Sequence, residues 1–377
     1  MKDMSRGFFL FVFLFLIACD PGKEPYNPEI PYSKAWWDSV ILRCALGQNS
    51  SCGLPPILPS IFPDKISDTG QTLCYDATTN ISCGNGTYPR QDGDFLDLPS
   101  NRSYIGPTAH SVYTNDYTTS DAVRGLIWKT CAEGLSGPTC STGTATATTY
   151  ASAPTYCAAL NAQNSGAGYA GITTWRMPSI FELERFANIE SNTAVDSSAF
   201  PGNPSVNFIS DTPYSGSPST TGWHIQINAG FYDQLNYGTS PYGVRCVSGT
   251  SLSAPSYTNN GDGTVTDNRT GLLWQGGAGS GGTNTWQGAL SYCSSLSLAG
   301  KSWRLPNINE LLSIVDYTGV SPAINATYFP GTVSQYYWSS STARNNLTYG
   351  FAVFFTSGLM GGNGKSSNWY LRCVTAP

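Results

Sequence analysis

The chain carries the same pattern of residues twice, and this internal repeat restricts its fold more than any other feature. The block TTSDAVRGLIWK at residues 118–129 returns without a gap as TVTDNRTGLLWQ at residues 264–275. In the same order, each copy then carries Tyr-Cys-x-x-Leu, Trp-Arg-x-Pro, Phe-Pro-Gly and a closing Arg-Cys-Val. The period of about 130 residues is far longer than that of solenoid repeats, so the sequence predicts two tandem domains.

The cysteines favour an oxidising compartment. The chain has eleven, and ten remain when Cys19, which ends an apolar N-terminal run, is set aside. An even number in an exported chain predicts disulfides, and without a Cys-x-x-Cys or nearby histidines a metal cluster is disfavoured. Each repeat has one cysteine in an early block and one in its closing block, which pairs Cys157 with Cys246 and Cys293 with Cys373. The other six lie close in sequence two by two: Cys44 and Cys52, Cys74 and Cys83, Cys131 and Cys140.

The N-terminus has the pattern of an export signal. Lys2 and Arg6 precede an apolar run over residues 8–18, which is too short to span a bilayer. The run ends Leu-Ile-Ala-Cys19, which resembles the lipobox of bacterial lipoproteins. Residues 1–19 are therefore expected to be a lipoprotein signal peptide. Cys19 is expected to be lipidated and to anchor the exported chain to a bacterial membrane, at the outer membrane or the cell surface. The alternative is an ordinary signal peptide with a chance cysteine.

Composition and turn signals divide the rest of the chain. Residues 20–70 are rich in proline and predict a tether. Residues 71–249 are expected to hold the first domain, extended at its N-terminus by a small β segment, and residues 250–377 the second. Within a repeat we expect an α+β fold with two helices and several short antiparallel strands. The last strands of the second repeat are expected at residues 351–356 and 369–374, separated by glycine-rich turns.

Low charge excludes several classes of protein. Only 11% of the residues are charged, against about 25% in typical proteins, which disfavours a nucleic-acid binder. Aromatic residues make up 13%, enough apolar surface to disfavour disorder. With two histidines in the chain there is little basis for histidine catalysis or a zinc site. We expect no cofactor and no resident metal.

The second copy resembles a known family most closely. Its blocks GLLWQ, YCxxL, WRLPNINEL, YYWSSS and YLRCV resemble the Lcl C-terminal domain family, found in a bacterial collagen-like adhesin and in other exported bacterial proteins. The resemblance runs in two copies from about Ile105 to the C-terminus, and QDGD at residues 91–94 also recurs upstream of such domains. It implies a C-type-lectin-like fold with a disulfide from the first helix to the last strand, and adhesion or ligand binding, including sulfated glycans. The chain has no Gly-X-Y tract, so collagen-driven trimerisation is not implied.

The candidate catalytic residues have structural interpretations. Glu182 and Glu310 each lie three residues after Ser179 or Asn307, the spacing of a capping box at a helix start. His224 alternates with Trp and Ile in a strand pattern, which predicts a solvated position on the polar face. His110 is expected in a loop with no nucleophile nearby. We therefore expect no catalytic residues.

Two further motifs resemble functional sites of other proteins. Asn-Gly-Asp-Gly at residues 260–263 is similar to part of a calcium loop, but no glutamate closes it, and a tight hairpin turn is the better interpretation. Trp-Arg-Leu-Pro at residues 303–306, with Arg372 and Cys373, resembles the formylglycine-generating enzyme family. That chemistry needs reactive cysteines and a metal, whereas each cysteine here has a disulfide partner in prospect.

Charge differs between the copies. Residues 71–249 hold 7 basic and 13 acidic residues (net −6), and residues 250–377 hold 6 basic and 4 acidic residues (net +2). An anionic glycan could meet the second copy at Arg344, Lys365 or Arg269, near Trp369 and Tyr349; a normal solvated surface is the alternative. The resulting hypothesis is a non-enzymatic surface lipoprotein that binds a host or matrix glycan or protein. The alternatives are an envelope protein without a ligand and, distantly, a formylglycine-generating activity. The oligomeric state stays open.

Overall fold

Each repeat combines a four-stranded sheet, two short helices and a separate three-stranded sheet. The structure, a computed structural model, describes residues 65–375 except 185, 187, 190–194, 203–206, 227–230, 237–241, 252–254, 278 and 280–281; for residues 231–236 we describe the backbone alone. Cys19, Cys44, Cys52 and most of the predicted tether lie outside the described residues. Within them, no helix has the length and apolarity needed to cross a bilayer.

The first repeat follows a small hairpin. The hairpin consists of β1 (Cys74–Tyr75) and β2 (Asn80–Ile81). The strands and helices of the repeat are, in chain order, β3 (Tyr104–Ala109), β4 (Tyr117–Asp121), β5 (Leu126–Lys129), β6 (Leu135–Ser136), β7 (Thr142–Gly143), α1 (Ala153–Asn161), α2 (Ile180–Glu184), β8 (Phe208–Pro213), β9 (Thr221–Gln226), β10 (Phe231–Asn236) and β11 (Val247–Ser248). The sheet orders are β11-β5-β4-β3 and β10-β9-β8. The closing strand β11 thus returns to the sheet that opens the repeat.

The second repeat has the same order of elements. They are β12 (Tyr257–Asn259), β13 (Thr264–Asp267), β14 (Leu273–Gln275), α3 (Trp286–Ser295), β15 (Ser297–Leu298), β16 (Lys301–Ser302), α4 (Ile308–Ser313), β17 (Tyr336–Thr342), β18 (Tyr349–Phe354), β19 (Leu359–Gly364) and β20 (Val374–Thr375). Its sheets run β12-β13-β14-β20 and β17-β18-β19. The α+β prediction is confirmed, and the sequence repeat corresponds to a structural one.

Each helix of the second repeat begins directly after a residue whose side chain caps it. The Thr285 hydroxyl accepts a hydrogen bond from the Gly288 N–H at 3.2 Å, so α3 starts at the next residue. Asn307 and Glu310 form the capping box expected from their spacing: Asn307 Oδ1 accepts the Glu310 N–H at 2.9 Å, and Glu310 Oε2 accepts the Asn307 N–H at 2.8 Å. The helix starts were therefore predictable from the sequence.

Four disulfides join the eight cysteines that the structure describes. They are Cys74–Cys83, Cys131–Cys140, Cys157–Cys246 and Cys293–Cys373. The two long-range bonds confirm the pairing inferred from the repeat. Each fixes the first helix of its repeat to the segment just before the closing strand.

The two repeats share a hydrophobic core. One cluster of buried side chains includes Trp128 of the first repeat and Trp274 of the second. Tyr317 crosses between the repeats: its ring lies 4.9 Å from the ring centroids of both Phe181 and Trp223. The described residues of both repeats belong to a single compact unit. The repeats are thus separate in their sheets and joined in their interior.

Three local expectations fail. His224 is 4% exposed, not solvated, because its sheet is covered on both faces: Trp223 and Ile225 face the shared core, while His224 pairs with the buried Ile209 of the neighbouring strand. The strand expected at residues 369–374 is reduced to β20, preceded by isolated bridges. The glycine-rich stretch expected to be turns instead contains β19.

The predicted β extension of the first domain packs mainly on the second repeat. Gln71 pairs with the backbone of Thr342, and the Tyr88 ring lies 6.2 Å from that of Trp286. Its hydrogen-bonding side chains find partners there because the strand end at Thr342 offers free backbone groups. The segment is therefore attached in sequence to one repeat and in space to the other.

Candidate functional site

Trp369 is the one predicted ligand residue that lies in a group suited to binding. Its ring is half-buried and packs 4.9 Å from the ring of Tyr336, which stacks at 4.6 Å on Phe354. Tyr336 opens β17 and Phe354 ends β18, and the two residues are register partners across the sheet. We call Tyr336, Phe354 and Trp369 the aromatic patch.

Backbone hydrogen bonds hold Trp369 against the sheet. Its N–H donates to the Asn284 carbonyl at 3.0 Å, and the Asn284 N–H donates to the Trp369 carbonyl at 2.8 Å. The next residue, Tyr370, donates from its N–H to the Tyr336 carbonyl at 3.0 Å. The indole ring is therefore placed by the same sheet that carries the other two rings.

Half of the residues in the strand next to the patch are glycines. β19 pairs with β18 and carries glycine at positions 361, 362 and 364. A Cβ placed on Gly361 would meet only the Tyr336 ring, at 4.0 Å. Leu359, the register partner of Phe354, is half-buried beside the rings. Because Gly361 adds no side chain beside the Tyr336 ring, the rings stay partly exposed at this end of the sheet, with the Trp369 ring tilted by 57° to that of Tyr336.

At the described positions equivalent to the patch, the first repeat has no such group of rings. The matching hydrogen bond from the Gly243 N–H to the Asn207 carbonyl, at 2.9 Å, places Asn207 where the second repeat has Tyr336. By the same register, Gln226 replaces Phe354 and Tyr242 replaces Trp369. Two of the three aromatic positions are thus polar amides, and the patch is specific to the second repeat.

Arg344 lies at the other end of the sheet. It is exposed in the turn after β17, whereas the patch is at the start of that strand. Seven residues of strand span about 20 Å at ~3.3 Å per residue. The structure therefore does not bring Arg344 together with Trp369, and a single small ligand cannot contact both.

Lys365 is buried, so it does not offer its charge to a ligand. It is 5% exposed, its Nζ donates to the Asp76 carbonyl at 2.7 Å, and it lies 4.0 Å above the centroid of the Trp286 ring. Burial lowers the pKa of Lys365 to about 7, although the Asp76 carboxylate acts in the opposite direction. The prediction that Lys365 meets an anionic glycan does not hold for the residue as it is placed.

The net positive charge of the second repeat comes mainly from buried basic residues. Arg269 is 1% exposed, donates to the Ser313 carbonyl at 2.6 Å and lies over Phe181, so it too is unavailable to a ligand. Four of the six basic residues are buried: Arg269, Arg304, Lys365 and Arg372. The charged residues left outside the core are two basic ones, the exposed Arg344 and Lys301, and two acidic ones, the exposed Asp262 and the half-buried Asp316. The surface is therefore near neutral, and charge is a poor basis for recognition here.

The repeated glutamates are structural, and each has a partner that sequence reasoning missed. Arg304 binds Glu310 through two hydrogen bonds of 2.5 Å, and Arg176 binds Glu182 through two of 2.7 and 2.8 Å. The signal was present in both copies as Arg-x-Pro followed by glutamate four residues after the proline. Each glutamate thus caps a helix and neutralises an arginine, which leaves it no role as a catalytic acid.

No catalytic group emerges among the described residues. Cys373 is bonded to Cys293, and Arg372 donates to the Gln275 carbonyl at 2.6 Å, so neither is arranged for formylglycine chemistry. His110 lies in a loop and accepts hydrogen bonds from backbone N–H groups through its own Nδ1. Cys74, Cys83 and Asp94 form a metal-type cluster, but the two sulfurs are used by their disulfide.

The Asn-Gly-Asp-Gly turn lies beside an open pocket of about 290 Å³. The turn connects β12 to β13, as expected for a hairpin, with Gly261 and Gly263 at φ of 77° and 88°. Asp262 Oδ1 accepts hydrogen bonds from the Thr264 N–H and hydroxyl at 3.0 and 2.6 Å. The carboxylate is therefore engaged by the turn itself.

Comparison with known proteins gives a family match in both repeats. The model of the Lcl C-terminal domain matches residues 117–248 and 263–375, which together cover more than half of the chain. These limits coincide with β4 to β11 in the first repeat and with β13 to β20 in the second. No curated protein matches the chain.

Proposed function

Because this chain belongs to the Lcl C-terminal domain family, we propose that it is a non-enzymatic surface protein that binds a glycan through its second repeat. The family is adhesin-like, which supports a role at the cell surface. We include in the proposal a C-type-lectin-like fold for each repeat. The aromatic patch of Tyr336, Phe354 and Trp369 is the observation that carries the binding function.

The chemistry of the patch favours a sugar ring. A pyranose has a face of C–H groups and a rim of hydroxyls, so it can lie flat on aromatic rings while its rim stays in water. Half-exposed tyrosine and tryptophan supply large apolar contact with few rotatable bonds to fix. The glycines of β19 leave room for a flat ligand to approach. A near-neutral surface favours contact by stacking over contact by charge.

A glycan array with the full chain tests the proposal. We expect Trp369→Ala to lower apparent affinity at least tenfold and Gly361→Gln, which keeps all three rings but covers them, to do the same. Tyr349→Ala is the matched control, because Tyr349 is an exposed tyrosine at the opposite end of β18. Binding should change little between 50 and 500 mM salt, since screening weakens contacts between charges and not stacking.

Three outcomes would contradict the proposal. Equal losses in Trp369→Ala and Tyr349→Ala would place binding outside the patch. Steep loss of binding in salt would mean that charge, including Arg344, carries recognition. An array without any bound glycan would favour the alternative of a structural envelope protein without a ligand.

We further propose that Cys19 carries lipid and holds the chain at a bacterial membrane. A multiply acylated cysteine anchors stably because each buried CH₂ contributes about 0.8 kcal/mol. When expressed in the native host, the Cys19→Ala variant should appear in the soluble fraction, whereas the wild-type protein should stay with the membranes. Retention of the variant after a high-salt wash would rule out this anchor.

A further inference from the structure

Residues 66–98, which we call the strap, cross the second repeat and hold it by side chains. Gln71 Nε2 donates to the Thr342 carbonyl and Gln71 Oε1 accepts the Thr342 N–H, both at 2.9 Å. Farther along, Arg90 Nη1 donates to the Ser302 hydroxyl at 3.0 Å. Asn307 Nδ2, at the start of α4, donates to the Leu98 carbonyl at 3.2 Å. The strap is thus fixed at both of its ends and along its length.

The first residues of the strap, 66–69, also contact both repeats. Asn309 Nδ2 of the second repeat donates to the Ser67 carbonyl at 3.0 Å. The Ile189 N–H of the first repeat donates to the Thr69 carbonyl at 3.2 Å. Ile66 is 1% exposed and belongs to the core that the repeats share. Release of these residues would therefore loosen the contact between the repeats.

The first repeat could not receive such a strap. Its residue equivalent to Thr342 is Pro213, which has no N–H to donate to a glutamine side chain. Ser340 is replaced by Asp211, which would repel an incoming acid, and Asn309 by Phe181. The strap is therefore matched to one repeat only, as a specific docking segment would be.

Two acids of the strap are buried where it meets the second repeat. Asp92 is 2% exposed and Asp68 is 6% exposed. Asp92 Oδ2 accepts the Ser341 hydroxyl of β17 at 2.5 Å and the Thr69 hydroxyl at 2.8 Å. Both partners are hydroxyls, which can donate to a carboxylate or accept from a protonated carboxyl. The site can therefore hold Asp92 in either state.

The charges that face this pair come from three directions. Glu310 of α4 and Arg304, which precedes that helix, both face Asp92, and the two are paired with each other. Arg102, from the chain after the strap, faces Asp68. On the strap itself, Asp94 accepts the Gln91 N–H at 2.7 Å and faces Arg90. Asp92 is thus left without a cation in direct contact among the described residues.

We propose that the strap is a pH-sensitive clamp, in which docking on the second repeat takes up a proton on the buried Asp92–Asp68 pair. Two carboxylates enclosed together are costly when both are charged, so one proton stabilises the docked strap. The clamp is tight in mildly acidic conditions and loosens in alkaline ones. It requires no change in the aromatic patch and is independent of the glycan proposal.

The direction of the effect follows from linkage. Burial, aided by the charges of Asp68 and Glu310, raises the pKa of Asp92 to about 8, and burial raises the pKa of Asp68 to about 6. An acid whose pKa is higher when docked binds more protons in the docked state between its free and docked values. The acidic pair therefore weakens docking as the pH rises from about 4 to about 8. Lys365, whose Nζ donates to the Asp76 carbonyl of the strap, has a lowered pKa of about 7 and acts in the opposite direction above that pH.

Hydrogen exchange of the full chain tests the clamp. After correction for intrinsic rates, protection of strap amides such as that of Tyr75 should be at least about tenfold greater at pH 5.5 than at pH 8.5. Amides of β4 in the first repeat serve as the internal reference and should change much less. Asp92→Asn, whose amide can bond both hydroxyls, should remove most of the fall in protection, because the contribution of Asp68 ends near pH 6 and that of Lys365 has the opposite sign. Asp97→Asn, an exposed strap acid at positive φ, is the matched control and should keep it.

A carboxyl ¹³C titration of the wild-type chain provides a second measurement that does not depend on whether a variant folds. Asp92 should titrate between about pH 6 and 9, far above an ordinary aspartate. The clamp is refuted if Asp92 titrates below pH 5, if strap protection is the same at both pH values, or if the reference strand loses protection equally. It is also refuted if Asp97→Asn flattens the response as much as Asp92→Asn.

Discussion

The two Arg–Glu pairs show how burial sets the value of one interaction. In each repeat a glutamate caps a helix and binds an arginine six residues earlier. The Arg304 side chain is 5% exposed, whereas that of Arg176 is 26% exposed. Loss of a buried partner leaves an uncompensated charge, while a partly exposed arginine can turn to water. The same pair should therefore matter more in the second repeat.

Glu310→Gln and Glu182→Gln measure this difference, because glutamine keeps the capping oxygen and removes the charge. We expect Glu310→Gln to cost about 3–5 kcal/mol of unfolding free energy, as for breaking a buried pair. Glu182→Gln should cost about 1 kcal/mol, nearer the value of a solvated pair. Urea unfolding with the disulfides intact measures both. Equal losses would mean that the difference in burial between Arg304 and Arg176 does not set the energy of the pair.

Lys365 gives a pH effect opposite in sign to that of Asp92. Its pKa is lowered to about 7 by burial, so between about pH 7 and 10.5 the unfolded chain binds more protons than the folded one. Its contribution to stability should therefore rise with pH across that range. Lys365→Met keeps an unbranched stem over Trp286 and does not titrate. We expect the stability of the wild-type chain relative to this variant to increase from pH 7 to 10; a constant difference would contradict the lowered pKa.

At the scale of elements, the disulfides differ mainly in the length of chain they close. Cys293–Cys373 spans 80 residues and Cys131–Cys140 spans 9, while all four cysteines are at most 2% exposed. In the chain-entropy model these loops correspond to about 4.5 and about 2.7 kcal/mol. Cys293→Ala with Cys373→Ala should thus destabilise more than Cys131→Ala with Cys140→Ala, by about 2 kcal/mol. Equal midpoints in urea would show that loop closure is not the main term.

Elements with local signals could be predicted from the sequence, and those that depend on distant partners could not. The cap at Asn307 and the turn at Gly261 are encoded within a few residues, and both were expected. His224 has a normal alternating pattern, but a second buried layer covers the face that would otherwise be wet. In β19, Gly361 and Gly362 imitate turn composition, yet the partner strand β18 keeps them extended.

At the scale of the molecule, repetition predicts two similar units but not how they join. The long disulfides follow from the repeat, since each closes within one copy. The strap does not follow, because Gln71 and its partner Thr342 are 271 residues apart and neither carries a recognisable motif. Only part of the aromatic patch could be predicted: the sequence points to Trp369, but Tyr336 and Phe354 come together with it only when the strands pair. Net charge does not predict the surface charge of the second repeat, because it includes Arg269 and Lys365, which are buried.

The shared core makes unfolding of the two repeats a coupled event, and Tyr317 is the residue that tests the coupling. It is 5% exposed, its ring packs on Phe181 and Trp223 of the other repeat, and its hydroxyl donates to Glu184. Removal of a large buried aromatic costs about 3–5 kcal/mol. Because this loss falls on the contact between repeats, it should reduce cooperativity as well as stability.

Calorimetry of the disulfide-intact chain separates these effects. We expect one unfolding transition for the wild-type chain and for Tyr349→Ala, a control in which an exposed tyrosine is removed. Tyr317→Ala should broaden the transition or split it in two, with the lower step belonging to the repeat that loses more contact. Tyr317→Phe, which keeps the ring but not the hydrogen bond to Glu184, should lower the midpoint and keep one transition. A single, merely shifted transition in Tyr317→Ala would show that the repeats remain coupled without this ring, and that the rest of the shared core and the strap suffice to join them.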